Sequence, residues 1–210
     1  MKIYLVRHGD MAGDPFVCPT GEVSGCLSQK GIAQAEHLGK YMNQLQIDAA
    51  FSSPYGRALQ TGQIALKERG IPITIVPGLE EWHPATVADT EFEKMRIRDS
   101  ERYAEQTWKT EQGEGTFDMY ARIVPALLNA LSQYGWTTRM GGWVPTEETK
   151  DKSVAIFAHG GSLNIMLSFI LGVMPFPLGA FSFEKTGIAE ITFSERQGVY
   201  FPALTIHAPQ

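Results

Sequence analysis

The sequence predicts an α/β fold in three layers, a mixed and mostly parallel sheet with helices on both faces. Three observations carry this expectation. Short apolar runs rich in β-branched and aromatic residues recur around 1–6, 48–52, 73–76 and 154–158, the pattern of strands buried on both sides. Stretches with helical apolar spacing separate them, as α/β alternation requires. Two of the runs close on the same pair, His8-Gly9 and His159-Gly160. Polar side chains thereby gather at strand carboxyl ends, where open α/β sheets bind ligands.

The elements follow in order. The first strand stops at Gly9, which adopts backbone angles other residues avoid. The loop 10–26 is rich in Gly, Pro and small residues; it is long and lies where a site is expected, so it is read as shaping that site. A helix over 28–45 carries Ile32, Ala35, Leu38, Met42 and Leu45 as one apolar stripe, with His37 off it on the surface. After the strand 48–52, Ser53-Pro54 reads as an N-cap and first helical position. That helix, 54–67, ends at Gly70 and Pro72 and holds Arg57 in its first turn or so. The strand 73–76 leads to Gly78-Leu79-Glu80-Glu81. From 82 to 115 the pattern loosens into a cap-like insertion, with a charge-crowded helix over 90–108 read mostly as a solvated face. A helix over 116–134 turns Ile123, Leu127, Leu128 and Leu131 inward. Residues 135–152 read as an irregular excursion. The strand 154–158, a helix over 161–172 and a hairpin of 188–193 with 199–206 complete one domain.

Composition excludes several classes. The 210 residues suffice for an α/β domain with a sizeable core. The formal net charge is −5 and no basic run stands out, so the electrostatic footprint of nucleic-acid binding is missing. No apolar stretch approaches the roughly 20 residues of a membrane span. The chain enters a strand at once, without a charged-then-apolar leader, so a cytoplasmic location is the expectation. Cys18 and Cys26 are expected as thiols rather than as a disulfide. With no Cys-x-x-Cys and five scattered histidines, no metal site is expected. The sequence leaves the oligomeric state open.

The candidate chemistry is phosphoryl transfer. Arg7 and Arg57 each offer a planar fork of donors matched to phosphate oxygens. A helix starting at Gly160-Gly161-Ser162 aims N–H groups at an anion. A neutral imidazole can attack phosphorus directly, and ordinary His is substantially neutral at pH 7. Five blocks add specificity: Val6-Arg7-His8-Gly9, Leu27 through Ala35, Ser52-Ser53-Pro54 through Thr61, Leu79-Glu80-Glu81, and Ala158-His159-Gly160-Gly161. In this order and these strand and helix contexts, the chain resembles the histidine phosphatase superfamily, or phosphoglycerate mutase-like family, over about 1–194. The resemblance implies a phosphoglycerate mutase-like fold with a small helical cap. It also implies a phosphatase that needs no metal or cofactor and acts on a small-molecule phosphoester through a phosphohistidine. Carried over residue by residue, His8 is the nucleophile. Arg7, Arg57 and His159 bind the phosphoryl group, and Glu81 is the proton donor and later the base. Glu80 is the neighbouring alternative, because adjacent residues in extended chain face opposite sides.

Departures from the family pattern narrow the reading. Met11 stands where many members have a hydroxyl residue, and Asp14 where they have a phosphate-binding Asn. Both weaken a mutase reading, since a mutase must grip a bisphosphate. Mutase-type transfer stays as the alternative, as does protein phosphohistidine phosphatase, whose members lack the cap and the acid. A binding protein without turnover is disfavoured because Arg7, His8, Arg57 and His159 are all present. After Glu81 comes Trp82-His83-Pro84 rather than Gly-x-Trp-Glu-Gly, leaving His83 as substrate contact or turn cap. Trp82, Phe92, Tyr103 and Trp108 suit a flat organic leaving group or a core equally.

Overall fold

The computed structural model describes residues 1–13, 25–82, 114–175 and 180–207, the last three as backbone alone. Its strands are β1 (Lys2–Arg7), β2 (Ala49–Ser52), β3 (Ile73–Ile75), β4 (Trp136–Arg139), β5 (Gly142–Pro145), β6 (Ser153–Ala158), β7 (Ile188–Arg196) and β8 (Val199–His207). Its α-helices are α1 (Gln29–Met42), α2 (Gly56–Ala65), α3 (Thr116–Gln133) and α4 (Gly160–Leu171). The strands form one eight-stranded sheet in the order β3-β2-β6-β1-β7-β8-β5-β4. β3, β2, β6 and β1 pair in parallel, whereas β7, β8, β5 and β4 pair antiparallel. The expected mixed α/β sheet is borne out.

Period-2 alternation along β1 explains the three layers. Ile3 and Leu5 enter a core cluster with Ile123 and Leu127 of α3 and Ile165 and Met166 of α4. Tyr4 and Val6 point the other way, to Leu38 and Met42 of α1 and Ala65 of α2. α4 lies within the layer and is apolar nearly all round. Its Asn164 is paid for fully: Nδ2 donates to the Gly160 and Phe181 carbonyls and Oδ1 accepts from the Phe181 amide, each at 2.8 Å. α1 begins where Ser28 Oγ accepts the Gly31 amide at 3.0 Å, an N-cap of the expected type.

Two expectations need correction. The span 135–152 is not irregular throughout: β4 and β5 form a hairpin there, turning on Met140 (φ 52°) and Gly141 (φ 76°). Two positive φ values in a row match the twist of a tight hairpin. The second helix starts at Gly56 with Tyr55 as N-cap and no side-chain cap bond from that residue, two residues later than expected, while Ser53 Oγ still accepts the Tyr55 amide at 3.3 Å at the helix entry. The cap insertion lies outside the described residues except at its two ends, as do His83, Phe92, Tyr103, Trp108, Asp14 and Cys18. Cys26 is buried and His37 exposed. Among the described residues no helix is long and apolar enough to cross a membrane.

α1 also presses on the end of β1. A Cβ on Gly31 would lie 2.0 Å from the Asp10 carbonyl oxygen, and one on Gly9 would lie 2.8 Å from the Gly31 carbonyl oxygen. Only glycines permit this approach of one backbone to another.

Candidate active site

The carboxyl ends of β1, β2 and β6 bring Arg7, His8, Arg57 and His159 to one edge of the sheet. His8 is 4% exposed, and its backbone N–H donates to the Ala158 carbonyl at 3.0 Å. Nδ1 lies 2.7 Å from the Gly9 carbonyl. A carbonyl only accepts, so Nδ1 carries the proton and Nε2 keeps its lone pair. Burial, followed by the charges of Lys185 and Arg57, holds the His8 pKa well below its ordinary 6.5. The imidazole is therefore neutral and nucleophilic at neutral pH.

Arg7 continues the Ile3 and Leu5 face toward α4. Its Nη1 donates to the Phe183 carbonyl at 2.5 Å, and a Cβ on Gly160 would touch its Cζ at 3.6 Å. Its buried Nε has no hydrogen-bond partner. Arg57 is 4% exposed and directs Nε to His159 Nδ1 at 3.0 Å, with its Cζ 5.0 Å from the centre of the Tyr55 ring. Because a guanidinium only donates, His159 Nδ1 is the acceptor. Its Nε2–H then donates to Ser53 Oγ at 2.8 Å. Both ring nitrogens of His159 thus bond protein atoms, and its pKa is held well below 6.5 by burial, then by Arg57 and His8. His159, expected as a phosphate donor, is thus tied in this structure to Arg57 on one side and to Ser53 on the other. The His8 and His159 rings stand 5.2 Å apart. Thr61 joins the two halves of the site: its hydroxyl accepts the Gly9 amide at 3.0 Å and donates to the Arg57 carbonyl at 2.7 Å.

Glu80 and Glu81 diverge as extended neighbours must. Glu81 turns to α4: Oε2 accepts the Gly161 amide at 3.0 Å, and Oε1 accepts those of Ser162 at 3.2 Å and Trp82 at 3.0 Å. The N–H groups of α4 expected to face a ligand are therefore aimed at this carboxylate. Any side chain at Gly161 would displace it, since a Cβ there lies 2.4 Å from Oε1. Glu80 turns away, accepting the Gly78 amide at 2.7 Å and Arg122 Nη1 at 3.3 Å.

The histidine phosphatase superfamily (branch 1) matches residues 3–201 of this sequence. The chain belongs to the histidine phosphatase superfamily. Among relatives, an adenosylcobalamin/alpha-ribazole phosphatase of Salmonella typhimurium is 24% identical over 192 residues, 88% of this chain and 87% of that protein. A protein of Erwinia tasmaniensis named as a probable phosphoglycerate mutase is 27% identical, over 82% of this chain and 76% of its own length. The alpha-ribazole phosphatase structure from Shigella flexneri superposes with a TM-score of 0.71 at 20% identity, covering 98% of this chain and 95% of that one. A mycobacterial glucosyl-3-phosphoglycerate phosphatase superposes with a TM-score of 0.72 at 18% identity, covering 97% and 96%. These structures share its fold.

Two further residues of this histidine phosphatase escaped the sequence reading. Arg122 on α3 forks onto Glu114 at 2.8 and 2.7 Å. It also donates to the carbonyls of Gly78, Glu80 and Glu81 at 2.9, 3.2 and 3.2 Å, pinning the strand end that presents Glu81. Trp82 Nε1 donates to the Glu114 carbonyl at 2.6 Å, and the indole packs on the core. The second residue, Lys185, comes from the turn before β7. Asp10, two residues after His8, accepts from Ser28 Oγ at 2.6 Å. Among the described residues no group of three or more His, Cys, Asp or Glu side chains is placed to hold a metal ion.

Proposed function

We propose that this histidine phosphatase hydrolyses a small phosphomonoester without a metal, through a phosphohistidine on His8. The observation that carries the reading is the pairing of a buried neutral imidazole, its Nδ1 on the Gly9 carbonyl, with two arginines of its own sheet edge. His8 Nε2 forms a bond to phosphorus while the bond from phosphorus to the ester oxygen breaks. Arg7 and Arg57 neutralise the phosphoryl oxygens, and His159 holds Arg57 in place. The leaving alkoxide takes its proton from Glu81.

The geometry supports a particular oxygen for that proton. Oε1 already accepts two N–H groups, while Oε2 accepts one and retains a lone pair. Glu81 Oε2 is thus the transferable site. In the second half, Oε2 takes a proton from water as the water oxygen bonds to phosphorus and the bond from phosphorus to His8 breaks, releasing inorganic phosphate. Met11, where many members of the family have a hydroxyl residue, and Asp14, where they have a phosphate-binding Asn, favour hydrolysis over mutase-type transfer.

The test is trapping with labelled phosphoester in EDTA. The wild type should give an acid-labile phosphoenzyme. His8→Ala should give none and should lose on the order of 10³-fold or more in kcat. Turnover within tenfold of wild type in His8→Ala, or activity restored only by added divalent metal, would sink the mechanism. Phosphoglycerates supplied as substrates separate mutase from phosphatase.

A further inference from the structure

We propose that Lys185 is a third cationic ligand of the transferring phosphoryl group, delivered by the turn ahead of β7; this rests on the phosphatase reading above. The turn is fastened to the Arg7-His8 pair from both sides of the lysine. Before it, the Phe183 carbonyl accepts from Arg7 Nη1. After it, the Gly187 carbonyl accepts the Arg7 amide at 3.0 Å and the Thr186 amide donates to the His8 carbonyl at 3.4 Å. The turn closes through the Gly187 amide on the Glu184 carbonyl at 2.9 Å. It requires φ 59° at Thr186, a β-branched residue. Such a conformation costs about 1–3 kcal/mol and persists where surrounding contacts over-determine it, commonly at functional sites. Here its effect is to hold Lys185 against the nucleophile's own strand.

Lys185 is half-buried, with no carboxylate in ion-pair contact among the described residues. The anions that act on it are Asp10 and Glu81. One is bonded to Ser28 and the other to the amides of Trp82, Gly161 and Ser162. The positive charges that act on it are those of Arg7 on β1 and Arg57 on α2, and its own charge acts on His8 and His159. Burial and then the charges of Arg7 and Arg57 bring its pKa down from 10.5 to about 8. Cations crowded at partial burial are costly unless an anion completes the group. The unpartnered Nε of Arg7 beside them asks for the same thing. A phosphomonoester dianion supplies it.

The experiment compares wild type, Lys185→Met, Lys185→Gln and Lys185→Arg over pH 6 to 10. It measures inorganic phosphate binding by calorimetry, and kcat/KM for a nitrophenyl phosphate and an alkyl phosphate. Both neutral variants should bind phosphate and turn over both esters roughly 10- to 100-fold worse at pH 7. The ratio to wild type should shrink as pH rises through about 8, where wild-type Lys185 loses its proton. Lys185→Arg should keep most of the binding and carry it past pH 10, because arginine stays charged. A wild-type-to-Met binding ratio near one at every pH overturns the proposal, whether or not the enzyme turns over. A loss confined to the alkyl ester overturns it too, by making Lys185 a proton donor. If wild type binds phosphate with the predicted ratio but hydrolyses no ester, the phosphatase reading fails while the lysine's role stands.

Discussion

The two halves of the sheet differ in strand direction, and they are used differently. β3, β2, β6 and β1 run the same way, so their carboxyl ends meet along one edge. Arg7, His8, Arg57, Glu81 and His159 all come from those ends or the segments just after them. β7, β8, β5 and β4 alternate in direction, so neighbouring ends face opposite edges and cannot pool side chains. Among the described residues of that half, the turn entering β7 is the part hydrogen-bonded to Arg7 and His8. Strand direction decides where functional groups can converge, while burial is deepest in β6 and β1 and thins out toward β4 at the antiparallel edge.

The sharpest way to break this contrast is in the parallel half. Glu81→Gln should slow an alkyl phosphate about 10²- to 10³-fold, since an alkoxide needs the proton. A nitrophenyl phosphate, whose leaving group hardly needs it, should slow less than about tenfold. Glu80→Gln, one residue away and facing Arg122, should slow both esters equally and little. Steady-state rates for both esters in both variants decide it; selective loss at Glu80 would reassign the acid.

A second, smaller effect lies in stability. His8 and His159 are held neutral in the folded protein with pKa values well below 6.5, while the unfolded chain protonates near 6.5. The unfolded state therefore binds more protons below that pH, and folding stability is lost as pH falls from 6.5 toward the folded-state values. The slope is up to about 1.4 kcal/mol per pH unit for each histidine. Urea titrations from pH 7.5 to 5 should show it. His159→Gln should flatten it by about half; an unchanged slope would place the titrating groups elsewhere.

The smallest effect belongs to the antiparallel half. Gly141→Ala forces a Cβ onto a residue at φ 76° and should cost about 1 kcal/mol, a Tm loss of roughly 2–4 °C. Activity at 25 °C should stay as in wild type. A matching drop in kcat would mean that the two halves are mechanically coupled after all.

The parallel half was also the more legible one. Arg7, His8, Arg57 and His159 sit beside strand ends and helix starts that local pattern reveals. The divergence of Glu80 and Glu81 follows from strand geometry, though not which of them faces inward. Lys185 was not legible, because its place depends on the sheet setting β7 beside β1, a contact between residues about 180 apart. The engagement of α4 by Glu81 spans 80 residues and escaped for the same reason, so a helix start that looked ready for a ligand was already occupied. The β4–β5 hairpin hid behind Met140, a residue that rarely takes positive φ. Ser53 looked like a helix cap, and only the fold gives it His159 as a partner.

The contact between Gly9 and Gly31 has a consequence for motion. Side chains that meet across an interface can exchange rotamers and absorb a small shift. Two backbones in direct contact have no such reserve and either stay closed or separate as a whole. The segment carrying His8 therefore belongs to the same cooperative opening unit as α1, not to the loosely held loops that usually fluctuate first. His8, the proposed nucleophile, is thus held by a helix that contributes none of the proposed site residues, and loosening one means unfolding the other.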